Sequence, residues 1–269
     1  MLTTRVPQVA PKLEGKEPYQ GCKQRPLIRI EDLTKTYLQG SWWEKQFRLK
    51  ALDGATLVLE EGTTVALVGR SGSGKTTLAM CIALLELPDS GKIWFNGHDI
   101  HSLPEAERRL LRPRIQICFQ DSTALPTRYT ARQIIEEPLR IQRRYSPAER
   151  VELISELMET VGLPPTWGNR VAGQFSGGQR QRLAIARSLS LLPNLLVFDE
   201  PLVGLDVIVQ AQIVDLLLRL QATHSLTYLF ISHDPAMVRH LADSVALMEQ
   251  GKIIEQCSVS DFCPHSRQA

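Results

Sequence analysis

Residues 69–76, Gly-Arg-Ser-Gly-Ser-Gly-Lys-Thr, fit the spacing GxxxxGK[ST]. Glycines at such intervals let a backbone wrap an anion with its N–H groups turned inward. The residues after them, 75–87, read as a helix, whose N-terminal dipole favours the same negative charge. Lys75 has the reach to pair with the β and γ phosphates of a nucleotide, and the Thr76 hydroxyl can bind magnesium. Gly69, Ser71, Gly72, Ser73, Gly74, Lys75, Thr76 and Thr77 are therefore the candidate nucleotide-binding residues of this loop. A plain flexible turn is the competing reading. The apolar run Thr64–Val68 before it and the helix after it supply the context that phosphate binding needs.

Two further places carry chemistry. The run LLVFDE at 195–200 is apolar and ends in two acids. In open α/β sheets, ligands bind in the crevice at the carboxyl ends of the strands. Asp199 can hold magnesium there, through water. Glu200 can polarise an attacking water, a role that contributes about 10²–10⁴-fold to a rate. Alone, two acids merely end a strand; the phosphate loop upstream gives them a purpose. The third place is Ser176-Gly177-Gly178-Gln179, opening a helix at 180–191. Ser-x-x-Gln is by itself a capping box. Two consecutive glycines are costly there for stability alone, but they leave backbone N–H groups open to an anion.

The elements around these residues are legible as hydrophobic runs. Residues 27–37 and 47–59 alternate as strands of an antiparallel pair turning around Gly40, with Trp42 and Trp43 in the connection as cover for a sheet edge. Short apolar runs at Thr64–Val68, 115–119, 195–198, Thr227–Ile231 and 245–248 alternate with helical segments. That order predicts a mostly parallel sheet with helices on both faces. Between 121 and 192 no strand is expected. Segments 136–142 and 147–161 read as helices, the second capped by Ser146 with Pro147 at its first position. Residues 1–26, rich in Pro, Lys and Gly, read as a flexible tail.

Composition narrows the class. The chain has 269 residues, of which 43% are hydrophobic and 22% charged, and 31 basic against 29 acidic residues leave a charge of +2. Disorder and general electrostatic capture of nucleic acid are both disfavoured. The basic runs at 107–114 and 140–145 are short, lie near Glu136, Glu137 and Glu149, and read as a solvated helix face or a surface near anionic lipid rather than a nucleic-acid site. No apolar run has the roughly 18–20 residues of a membrane span. The five cysteines are scattered, as free thiols in a reducing compartment would be. Cys257, Cys263 and His265 include no close Cys pair and do not read as a metal site.

Taken together, the phosphate loop, the acid pair and FSGGQRQRLAIARSL, with Asp199 lying 23 residues after Ser176, resemble the ATP-binding cassette (ABC) ATPases over about residues 27–255. Phe175 stands where leucine is more usual in their signature segment. The resemblance implies an α/β fold: a P-loop NTPase core with a mostly parallel sheet (27–120 and 193–258), an antiparallel β subdomain, an inserted α-helical subdomain bearing the signature (121–192), and a short tail at 259–269. It implies that Gln120, ending the strand RIQICFQ, joins magnesium to the helical subdomain, and that His233 in LFISHDP contacts the γ-phosphate. Tyr37 would stack on adenine, and Leu205 and Asp206 would lie in the loop that crosses a dimer interface. There Val203 and Gly204 replace the Ser-Ala of many relatives.

The runs FQDS, IIEEPL and GLDVIVQAQIVDLLLRLQ are similar to the ATPases of oligopeptide, dipeptide and nickel importers. From this the expectation is an enzyme that hydrolyses ATP with Mg2+ and powers solute import. It would work at the cytoplasmic face of the cell membrane with separate integral-membrane permease subunits, a second ABC ATPase (the same or a related chain) and, indirectly, a solute-binding protein. Ser176, Gly177, Gly178, Gln179 and Asp206 would then act on a nucleotide held by the other ATPase. The alternative is a non-transport ABC protein, such as a subunit of a carbon–phosphorus bond-cleaving complex.

Overall fold

The computed structural model describes residues 26–39, 47–119 and 125–262. Residues 1–25, Trp42 and Trp43, Gln120 with 121–124, and Cys263 and His265 lie outside the described residues, and so do the expectations placed on them.

Two sheets form the body. Strands β1 (Pro26–Gln39), β2 (Phe47–Glu60), β4 (Ser90–Phe95) and β5 (His98–Asp99) make a four-stranded antiparallel sheet in the order β2-β1-β4-β5. The six-stranded sheet runs β10-β9-β3-β8-β7-β6. In it β3 (Thr64–Val68), β6 (Ile115–Cys118), β7 (Leu195–Asp199), β8 (Thr227–Ile231) and β9 (Ser244–Glu249) pair in parallel, and β10 (Lys252–Ser258) adds antiparallel to β9. Every residue of β3, β7 and β8 is buried. Such unbroken apolar strands suit a parallel sheet covered on both faces. Their side chains divide with a period of two. Leu196, Phe198, Tyr228 and Phe230 join a cluster built with the helices, whereas Leu195, Val197, Leu229 and Ile231 join a cluster with the antiparallel sheet and α1 (Lys75–Ile82).

The other helices are α2 (Glu105–Leu111), α3 (Ala131–Gln142), α4 (Pro147–Thr160), α5 (Gly177–Leu189), α6 (Val207–His224) and α7 (Pro235–Leu241). Among the described residues, the stretch between β6 and β7 holds α3 to α5, short 3-10 turns and one isolated bridge, Thr130 to Val171. Its apolar side chains share one cluster with α6 and a face of β7 and β8. No helix among the described residues is long and apolar enough to cross a membrane.

Several boundaries differ from expectation. The helix read over 75–87 stops at Ile82, and Leu84 has φ +58°. Residues 86–89 are drawn toward β1 instead. The Lys35 ammonium binds Glu86 at 3.1 Å and the Leu87 carbonyl at 2.7 Å, and the Asp89 and Thr36 amides bond to Thr34 O and Asp89 Oδ2. Apolar residues favoured more helix, and contacts with a strand about fifty residues away won. Helix α3 starts five residues before the expected 136, at a capping box of Thr130 with Gln133, and α5 starts at Gly177 rather than 180. Strands β4, β5 and β10 and helix α2 had no sequence signal strong enough to read. In β4 the first three residues are exposed, and β10 is largely exposed throughout. Pro26, expected to lie outside the sheet, already pairs with Glu60 in β1 and β2.

Candidate functional site

The phosphate-type loop joins β3 to α1 and is wedged between two other segments. A Cβ on Gly69 would collide with the Met248 carbonyl at the end of β9, and one on Gly74 with the Ala51 carbonyl of β2. Gly74 also has φ +107°, which an L side chain resists. The Gly251 amide donates to Ser73 O at 2.9 Å, so the β9–β10 turn pins the loop from outside. Ser71, Gly72 and Thr76 are exposed, whereas Lys75 is buried. Thr77 is buried as well, on the inner side of α1. The Lys75 side chain arches back over the loop, its Nζ donating to Gly69 O at 2.8 Å and Arg70 O at 2.9 Å. The cation is thus held against the carbonyls that open the loop.

Opposite charge faces it from β7. Burial pushes the Lys75 ammonium below its ordinary pKa, and the nearby Glu200 and Asp199 pull it back up. Burial likewise raises Asp199, against a hydrogen bond from the Thr76 hydroxyl and attraction to Lys75; Glu200 raises it further. The Thr76 hydroxyl therefore stands beside the Asp199 carboxylate at the edge of the loop. Glu200 comes next in the chain and leaves the strand at φ +47°, a left-handed conformation unusual for a non-glycine residue. Its amide donates to Ile231 O at 3.1 Å, which ties it to the end of β8. There His233, largely exposed, places Nδ1 3.6 Å from Glu200 Oε2. Lys75, Thr76, Asp199, Glu200 and His233 thus converge at the carboxyl ends of β3, β7 and β8.

Ser176 to Gln179 form a separate group. Ser176 caps α5: its hydroxyl accepts from Gln179 N at 3.3 Å, and Gln179 Oε1 accepts from Ser176 N at 3.0 Å. Gly178 has a packing reason that lies outside the local sequence. A Cβ on Gly177 would lie 2.9 Å from Leu205 Cδ2, and one on Gly178 would strike Val209 Cγ1. Farther along α5, Ser188 Oγ meets Cys118 Sγ of β6 at 3.2 Å. That edge lies three strands from β3, about 14 Å at ordinary strand spacing, and Ser176 is about 18 Å of helix from the contact. Among the described residues, the Ser176 hydroxyl bonds only within its own turn.

Other expected residues have their own settings. Asp206 is the N-cap of α6, its Oδ1 accepting from Val209 N at 2.9 Å, a local role that the sequence reading passed over. Tyr37 lies on β1 opposite Leu49, half-buried, with the Lys35 ammonium 5.4 Å from its ring centre. Gln120 is outside the described residues. The arginines of the first basic run are partly neutralised, Arg108 and Arg112 pairing with Glu105 at 3.0 and 2.8 Å. Cys257 is half-buried, and no group among the described residues has the makeup of a metal cluster.

Known proteins resemble this chain in sequence and in fold. The profile of the ABC transporter family matches residues 52–203. The oligopeptide transport ATP-binding protein AppF of Bacillus subtilis is 43% identical over 238 residues, covering 87% of this chain and 72% of that protein. The dipeptide transport ATP-binding protein DppF of Haemophilus influenzae is 42% identical, covering 86% of this chain and 71% of that one. Among solved structures, a dimeric post-hydrolysis state of the ATP-binding cassette MJ0796 bound to ADP and Pi superposes with a TM-score of 0.77 at 28% identity, over 87% of this chain and all of the other. With phosphate loop, acid pair and signature helix in one such fold, the chain belongs to the ABC transporter family, as one of its ATP-binding and ATP-hydrolysing cassettes.

Proposed function

We propose that the chain is the ATPase subunit of an importer for oligopeptides or dipeptides, seated against the cytoplasmic face of a membrane by a separate permease. The convergence of Lys75, Thr76, Asp199, Glu200 and His233 carries the catalytic part of this reading. The names of the relatives favour peptides over nickel.

The residues present fit magnesium. Thr76 and Asp199 offer neighbouring hard oxygen ligands, and burial has raised the carboxyl in a way that a cation would relieve. They would hold the ion with Gln120, and it would neutralise charge on the β and γ phosphates. The loop amides and Lys75 hold the triphosphate, and Tyr37 backs the adenine. Glu200 accepts the proton of the attacking water, and His233, held beside Glu200, contacts the γ-phosphate. Ser176 to Gln179 serve a nucleotide held by a second ATPase, the same chain or a related one, with Asp206 in the crossing loop. ATP closes the pair and hydrolysis opens it, because the γ-phosphate is the charge that both halves require.

Recovery from detergent extracts decides the cellular role. The chain should co-purify with a multispan permease and a second ATPase; recovery with soluble enzymes or RNA, and no membrane protein, would defeat the importer reading. A substitution tests the shared site. Ser176→Ala should cut ATP turnover while costing about 0.5–2 kcal/mol of stability through the lost cap. That stability loss with normal turnover would leave Ser176 as a helix cap and nothing more.

A further inference from the structure

The chain reaches Ser176 through a turn braced by one arginine. Arg170 lies against two rings, with Cζ 4.5 Å from the Trp167 ring centre and 5.2 Å from that of Phe175. The rings meet edge to face, 6.0 Å apart at 74°. A cation over an aromatic face is attracted by the ring quadrupole; here Phe175 is buried and Arg170 half-buried. The guanidinium also donates to Gln174 O at 3.3 Å, and the Arg170 carbonyl accepts from Ala131 N, the first residue of α3, at 2.9 Å. Between Arg170 and Phe175, Ala172 N and Gly173 N donate to Tyr129 O and Thr127 O at 2.8 and 3.0 Å. On the other flank, Arg180 Nη1 donates to Phe175 O at 2.8 Å. The residue immediately before the α5 cap is thus held through both its ring and its carbonyl. A leucine at 175 would fill the space but offer no face to the cation.

We propose that Arg170 is a positioning residue for the signature turn: it clamps Phe175 against Trp167 and so sets the direction in which Ser176, Gly177 and Gly178 are presented to the nucleotide of the second ATPase. This rests on the reading that Ser176 serves a shared site. Arg170 touches no residue of the Lys75–Asp199–Glu200 cluster among its described contacts. Its loss should therefore spare nucleotide binding by one subunit and damage only what needs two.

The test uses the full chain with its ATPase partner and measures three quantities for each variant: ATP affinity of the separated subunit, ATP-driven association of the pair, and kcat. Arg170→Ala should leave the affinity unchanged and lower both association and kcat about tenfold, within the range by which contacting groups couple. Arg170→Lys, which keeps the charge but not the planar fork, should recover part of the loss. Phe175→Leu should behave like Arg170→Ala, and the double variant should be no worse than either single one. If Arg170→Ala does not fold, Phe175→Leu is judged by the same criterion. A lower melting temperature with association and kcat within about twofold of normal, while Ser176→Ala impairs both, would overturn the inference and leave the shared site standing. If Ser176→Ala is equally silent, the shared-site reading fails and this inference falls with it.

Discussion

Glu200→Gln should bind ATP as the unaltered protein does and lose about 10²–10⁴-fold in turnover, the usual contribution of a general base. The amide keeps the size of the carboxylate and can keep its place 3.6 Å from His233 Nδ1. The backbone at φ +47°, held by the bond to Ile231 O, has no reason to move. The capacity to take a proton from water is lost. Because the γ-phosphate then persists, an ATP-held dimer should accumulate. Single-turnover hydrolysis and size-exclusion chromatography with ATP read the two effects separately. Unchanged turnover would remove Glu200 from its role.

Lys75→Ala should fail at the earlier step. Its ammonium bonds back onto the loop itself, and it is buried among the Gly69 and Arg70 carbonyls with Asp199 and Glu200 nearby. Removing it takes one positive charge away from a triphosphate that two carboxylates face. ATP affinity should drop sharply, and residual turnover at saturation should fall by about 10²–10³, as when one donor to developing charge is lost. Titration calorimetry with ATP checks the first effect and a steady-state assay the second. Binding at normal affinity would mean that the triphosphate does not lie in this loop.

These two side chains were readable from sequence because their signals are local. GxxxxGK[ST] and LLVFDE each state strand, turn and chemistry within a few residues, and the buried strands β3, β7 and β8 announce themselves as apolar runs. Features that could not be read depend on partners distant in the chain. The end of α1 is decided by Lys35 and Thr34 of β1. The Gly177–Gly178 pair looked costly until Leu205 and Val209 were seen to occupy the space where side chains would go. Asp206 and Thr130 were different, since both carry recognisable capping chemistry. Asp206 combines a cap with its expected place in a crossing loop. The apolar periodicity after Thr130 begins only at Ile134, which hides the start of α3.

The near-collision of position 178 with Val209 has an evolutionary corollary. The two sites sit 31 residues apart in sequence, yet a lineage cannot alter one without regard to the other. A methyl group gained at 178 is tolerable only where 209 has already shrunk, and bulk at 209 survives only opposite bare backbone. Among descendants of a common ancestor the two should therefore drift in tandem, small against large, while their sequence neighbours vary on their own schedules.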